Sequence, residues 1–142
     1  IDDGCVLCSP MLAPVIAESR DWRLVLNRNQ RLLGACMLVL RRHEEQVVRL
    51  TADEWADPRD QIGRATGTLA AVFRPDHFNY AFLQNQDRHV HLHVIPRYAA
   101  ERVFSGLTFS DPDYPGHYTP DVSRGLTDEQ MRAVTETLRS AL

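Results

Sequence analysis

The run His89-Val90-His91-Leu92-His93-Val94-Ile95-Pro96-Arg97-Tyr98 alternates imidazole with aliphatic side chains until it reaches a proline. Successive residues of a β-strand point to opposite faces. The pattern therefore predicts a strand from His89 to Arg97, with His89, His91 and His93 on one side and Val90, Leu92 and Val94 on the other. The aliphatic side has to be covered by the rest of the chain; the imidazole side has to find polar partners or be put to use. A lone histidine is most often a hydrogen-bonded core residue. Three at period two, half of the six in the chain, make that reading poor, because each buried ring needs partners for both nitrogens.

The rest of the composition is that of an ordinary globular chain. The 142 residues are 44% hydrophobic and 25% charged, which predicts a single domain over 1–142 with a sizeable core. The longest apolar runs, such as Ala35 to Leu40, have strand length, and none approaches the roughly 20 residues of a membrane span. With no leader pattern at its start, although Ile1 stands where a Met would begin a chain, a cytoplasmic protein without a membrane partner is expected. The net charge of -3 argues against a nucleic-acid-coating protein, so any phosphate ligand needs a local site. All sixteen basic side chains are arginine. That bias follows most simply from a GC-rich coding sequence, with a preference for guanidinium at phosphate as the rival. Three cysteines suggest no disulfide framework.

Around the histidine run the pattern predicts an α+β order. Pro10 to Ser19 reads as one or two helical turns with Ser9 as N-cap and Pro10 first in the helix. Trp22 to Arg28 and Gly34 to Arg41 read as a strand hairpin joined by Asn29-Gln30-Arg31. Thr51 and Glu54 form a capping box. After it Trp55, Ile62, Ala65, Leu69, Val72 and Phe73 recur at helical spacing, predicting a long helix interrupted or restarted near Asp57-Pro58. Phe78 to Leu83 reads as a further strand. Ala99 to Gly125, rich in Pro, Gly, Asp and Tyr, reads as a long ordered loop crossing a surface. Thr127 and Gln130 make a second capping box, with Met131, Val134, Leu138 and Leu142 as the apolar stripe of a terminal helix. Cys36 falls in an apolar strand and reads as core.

The spacing His89-Val90-His91-Leu92-His93-Val94-Ile95 resembles, residue for residue, the signature of the histidine triad family, and Pro96-Arg97-Tyr98 resembles a continuation common in its hydrolase branch. Asn27 to Gln30 and Met37 to His43 resemble the preceding strand pair, so the likeness covers about residues 5 to 98. It implies a five-stranded antiparallel sheet with a long helix and a C-terminal helix packed on it, commonly dimerised through the long helix and a strand edge. It also implies nucleotide chemistry. The central histidine, here His91, attacks an α-phosphate to give a nucleotidyl-histidine, and His93 donates to the phosphate. The substrates implied are dinucleoside polyphosphates or nucleoside phosphoramidates, derivatives of AMP or GMP. A neutral imidazole suits the nucleophile's role at pH 7, since its ordinary pKa is near 6.5.

Asn27 matches the ribose-contacting position of that family; a turn-flanking asparagine is the rival reading. Leu24 and Leu26 are read either as sandwiching a base or, more commonly for such alternation, as core. Cys5-Val6-Leu7-Cys8 is read three ways: as a redox pair, as two buried small residues, or as half of a metal site. By the resemblance, Cys5 and Cys8 bind a structural zinc with His43 and His89, a closed tetrahedral set. A single catalytic zinc on all three triad histidines would strain a strand, because His89 and His93 lie about 13 Å apart at roughly 3.3 Å per residue. No catalytic metal is then required, and a chelator spares the chemistry. The chain departs from the family just before the triad, where Gln84-Asn85-Gln86-Asp87-Arg88 replaces a Gly-Gln-Ser/Thr segment; Gln84, Asn85 and Gln86 are the candidates for the missing amide. Losing a placed proton donor costs on the order of 100-fold to 10,000-fold. Arg88 and Arg97 are read as exposed or as phosphate contacts. A zinc-dependent metallohydrolase and a non-catalytic nucleotide-binding module are the competing functions.

Overall fold

The computed structural model describes residues 4–9, 14–119 and 122–142. One 3-10 turn, Val6–Cys8, precedes β1 (Val15–Glu18), β2 (Trp22–Leu26) and β3 (Cys36–Leu40). A second, Val47–Arg49, leads into α1 (Ala52–Val72). Then follow β4 (His77–Ala81), β5 (His91–Arg97), β6 (Arg102–Phe104), β7 (Leu107–Phe109) and α2 (Asp128–Ser140). Five strands make one sheet in the order β1-β2-β3-β5-β4, antiparallel throughout, and β6 pairs with β7 in a separate hairpin.

Alternation along the central strands divides the sheet. On one side Trp22, Leu24 and Leu26 of β2, Cys36, Leu38 and Leu40 of β3, and Leu92 and Val94 of β5 pack against Ala65 and Leu69 of α1 and Met131, Val134 and Leu138 of α2. The other side carries His91 and His93, which pair in register with Val39 and Met37. Over that side the first 3-10 turn lays Leu7 on Val25, Met37 and Val39. Leu24 and Leu26 are thus core residues on the helix side, away from the histidines. Cys36 is core as well, its thiol pushed up to about 12 by burial.

Helix α1 runs unbroken through Pro58, against the interruption expected there. A proline inside a helix removes the N–H that would bond the carbonyl four residues back, here that of Glu54. The indole Nε1 of Trp22 donates to that carbonyl at 2.8 Å. The orphaned acceptor is satisfied from the sheet and the helix continues. Gly34, at φ 89°, lets the β2–β3 turn press against the same helix. A Cβ there would lie 2.6 Å from the Leu69 side chain.

Other expectations need correction. Val15–Glu18 is a strand rather than part of a helix, because its edge pairing with β2 outweighs a weak helical pattern. Residues 10–13 of that expected helix, which Ser9 would cap, lie outside the described residues, and Ser9 follows the 3-10 turn as its closing residue. The loop after β5 contains the hairpin β6–β7. Leu142 lies beyond the end of α2 and is 48% exposed, so the helix stripe stops at Leu138. His89 precedes β5 rather than opening it. No helix among the described residues is long and apolar enough to cross a membrane.

Candidate active site and metal cluster

Because β5 is paired on both sides, with β3 and β4, its alternation holds His91 and His93 in line. Their rings meet edge to face, with centroids 4.9 Å apart. His91 is buried, and its Nδ1 lies 2.6 Å from the main-chain oxygen of His89. A carbonyl only accepts, so Nδ1 carries the proton and Nε2 keeps the free lone pair. Burial first, and then the neighbouring His91, push the pKa of His93 down to about 4. The ring is therefore neutral at pH 7, with an N–H to offer.

That shift ties stability to pH. The unfolded chain takes up the His93 proton near pH 6.5, whereas the folded one takes it up only near 4. Between those values the unfolded state binds more protons, so stability falls as pH falls through that window and levels off below it. His93→Asn is expected to flatten this part of the curve, measured as urea midpoint against pH. An unchanged slope would show that the His93 ring is not desolvated.

Beside His93 opens a small cleft of about 110 Å³. Asn27, Arg31, Leu32, Ala35, Ile95 and Leu83 line it together with Tyr118, Thr119 and Val122. The last three come from the loop after β7, which folds back across the histidine face. Buried Arg97 fastens this loop. Its Nε and Nη2 donate to the two carboxylate oxygens of Asp111 at 2.7 and 3.2 Å, Nη2 donates to the Gly116 carbonyl at 2.7 Å, and Nη1 donates to Asn79 Oδ1 at 2.8 Å. The rings of Tyr114 and Tyr118 lie 5.9 and 5.8 Å from the same guanidinium. Arg31 pairs with Asp113, and Asn29 donates to the Val122 carbonyl, so the turn after β2 holds the loop from the other side.

At the other end of the histidine face Cys5, Cys8, His43 and His89 bring their ligand atoms within 4.8 Å of one another. His89 Nδ1 lies 3.4 Å from both sulfurs, and His43 Nδ1 lies 3.4 Å from Cys8 Sγ. A tetrahedral zinc at about 2.3 Å from sulfur and 2.0–2.1 Å from nitrogen separates such atoms by roughly 3.5 Å, so the four residues fit that ion. The His89 ring is fully buried, and desolvation lowers its pKa, keeping it neutral as a ligand must be. Its Nε2 donates to the Leu40 carbonyl at 2.6 Å, the outer bond that orients a ligating imidazole.

The fold thus brings Asn27 and His93 to one cleft and the two cysteines, His43 and His89 to one cluster. Gln84, Asn85 and Gln86 are not among the residues lining that cleft. Gln84 donates to the Glu45 carbonyl at 2.8 Å, Asn85 is exposed, and Gln86 borders a groove beside the cluster together with exposed Arg88. Arg97, expected at the surface unless it met phosphate, is 2% exposed and ion-paired. Tyr118, Arg31 and Asp111 were not singled out from sequence. A lone Asp-Pro-Asp-Tyr segment in a polar loop carries no period that points at a distant arginine.

No family model matches the chain, and no curated protein has a significant sequence match to it. Solved structures do resemble it. A histidine triad protein of Sinorhizobium meliloti superposes with a TM-score of 0.73 at 21% identity, covering 90% of this chain and 88% of that one. A hypothetical histidine triad nucleotide-binding protein of Sulfolobus tokodaii gives 0.72 at 15% identity over 96% and 91%. A zinc-bound histidine triad family protein of Mycobacterium smegmatis gives 0.63 at 19% identity over 96% and 94%. The likeness is one of architecture, and by architecture this chain has the histidine triad fold.

Proposed function

We propose that the chain is a nucleotide hydrolase or nucleotidyltransferase that works through a covalent nucleotidyl-His91 intermediate. The observation that carries this reading is the bond from His91 Nδ1–H to the His89 carbonyl, which leaves Nε2 as the attacking atom beside a neutral His93. The Nε2 lone pair forms a bond to the α-phosphorus as the bond to the leaving oxygen or nitrogen breaks, its electron pair departing with the leaving group. Water, or another acceptor, then takes the nucleotidyl group and restores the imidazole. The N–H of His93 donates to a phosphoryl oxygen and stabilises the charge that develops there. In the cleft, Asn27 Oδ1 accepts from the Asn29 main chain at 3.0 Å, so its amide N–H groups are the ones turned to a ribose hydroxyl. The substrates are dinucleoside polyphosphates or nucleoside phosphoramidates carrying AMP or GMP.

The metal cluster takes in only His89 of the three triad histidines, which favours this reading over a metallohydrolase. We assign one structural zinc to Cys5, Cys8, His43 and His89. A chelator is expected to remove one equivalent and lower the thermal midpoint, with recovery on adding zinc; Cys8→Ser should do the same irreversibly. Protein that contains no metal after zinc reconstitution, by elemental analysis, would end that assignment. A homodimer through α1 and edge strand β4 is supported by exposed Trp55, Tyr80 and Phe82. A cytoplasmic location is part of the same proposal.

The reading is tested by quenching the protein during turnover of such substrates and weighing it. A mass increase of one nucleotidyl group, mapped to His91, is expected. Turnover without any adduct would overturn the mechanism, and tight binding without turnover of either substrate class would make the chain a binding module.

A further inference from the structure

We propose that an aromatic pocket beside the His93 cleft is the subsite for the leaving half of the substrate, and that it takes the second nucleoside of a dinucleoside polyphosphate. The inference rests on the reading of the chain as an enzyme that opens the bond at an α-phosphate. It deepens that reading by choosing between its two substrate classes.

The pairing of β4 with β5 lays out the histidine face. His93 stands opposite Ala81, Ile95 opposite Asn79 and Arg97 opposite His77, and residues directly opposite in an antiparallel pair share a face. Two cavities follow one another along this row. The first, of about 110 Å³, lies at His93 and Ile95. The second, of about 410 Å³, lies at Ala81, Asn79, His77 and Arg97. Leu83 and Tyr118 line both, so the cavities adjoin across one wall. From His93 to Arg97 the strand advances about 13 Å, four residues at roughly 3.3 Å each. A nucleotide can bridge that distance, whereas a small amine held at the phosphorus would leave the second cavity empty.

The walls of the second cavity suit a base. The loop after β7 brings Tyr114, His117 and Tyr118 to it. The rings of His117 and Tyr118 stack with centroids 4.6 Å apart and 24° between their planes, and His117 Nδ1 donates to the Tyr118 carbonyl at 2.5 Å. Tyr114 and Tyr118 lie 5.9 and 5.8 Å from the Arg97 guanidinium, cation–π contacts that steady both rings. Arg97 is already paired with Asp111, so it braces the aromatic wall and leaves the ligand to other groups. Every base has a face that can stack on such rings. Asn79, His77 and His117 supply polar edges, and no carboxylate is among the described residues that line either cavity. A phosphate chain running from one cavity to the other therefore meets no like charge in their linings.

The experiment has a binding arm and a turnover arm, both on the full-length protein. For binding, the His117 ring signals are followed by NMR as a nucleoside monophosphate, or a dinucleoside triphosphate with methylene in place of its bridging oxygens, is added. A shift with the dinucleotide and none with the monophosphate is expected. The same response to both, or no response to the dinucleotide, overturns the proposal. For turnover, kcat/KM is compared for a dinucleoside triphosphate and for nucleoside phosphoramidates of an aliphatic and an aryl amine. The dinucleotide should be preferred to both. His117→Ala removes an exposed ring that is not a partner of Arg97. It should reduce the preference for the dinucleotide over the aliphatic phosphoramidate about 10-fold, within the range for one lost base stack. An unchanged preference in that variant overturns the subsite, and a wild-type preference for the aryl amine overturns its assignment to a nucleoside. The binding arm needs no turnover. A His117 shift without any His91 adduct refutes the mechanism alone, and an adduct without the shift refutes the subsite alone.

Discussion

His91→Ala is expected to reduce turnover on the order of 10,000-fold to a million-fold, the scale seen when a covalent nucleophile is lost from a working unit. It should leave no nucleotidyl adduct in protein quenched during turnover. The fold should survive. His91 sits on the face covered by the first 3-10 turn rather than in the main core, and its ring makes one hydrogen bond, to the His89 carbonyl. Nucleotide binding, measured by calorimetry with a nucleoside monophosphate, should stay close to wild type because the cleft is lined by other residues. His93→Ala should be milder, about 100- to 1,000-fold in kcat, as for removal of one preorganised donor, and it should still trap the adduct. A His91→Ala protein that retained both turnover and adduct would move the nucleophile elsewhere.

Asp111→Ala is expected to be the most damaging change outside the histidines. The Arg97–Asp111 pair is buried, with side chains 3% and 0% exposed. Removing the carboxylate leaves a buried guanidinium with only the oxygens of Asn79 and Gly116. Breaking such a pair typically costs 3–5 kcal/mol, roughly, a large part of the stability of a domain this size. Urea unfolding should show that loss, together with a raised KM, since the loop from Asp111 to Thr119 supplies Tyr118 and Thr119 to the cleft. Replacing both partners with apolar residues of similar volume should recover much of the stability without recovering KM. A loss below about 1 kcal/mol, the value of a surface pair, would show that Arg97 is solvated.

The sequence made some of this legible and hid the rest for identifiable reasons. The triad strand could be read because its period of two is local. The two capping boxes, Thr51 with Glu54 and Thr127 with Gln130, could be read because their partners are three residues apart, and both form as expected. The grouping of Cys5 and Cys8 with His43 and His89 followed from the family resemblance; nothing in the spacing links residues so far apart. What stayed hidden is long-range. The Arg97–Asp111 pair, the rescue of Pro58 by Trp22, and the return of Tyr118 to the cleft each join residues whose local patterns are unremarked. The strand at Val15–Glu18 was misread because four residues beside a proline carry too little pattern to resist a helical reading, and only pairing with β2 decides them.

The bond from Trp22 to the Glu54 carbonyl makes the effect of a proline depend on a residue 36 positions away in the chain. Trp22→Phe should be costly with Pro58 present and much cheaper in a Pro58→Ala background, where the helix supplies its own N–H. The order in which the two positions change is then constrained. A lineage can acquire the proline safely only while the indole is in place, and once it has done so the tryptophan is held by epistasis in addition to its burial in the core.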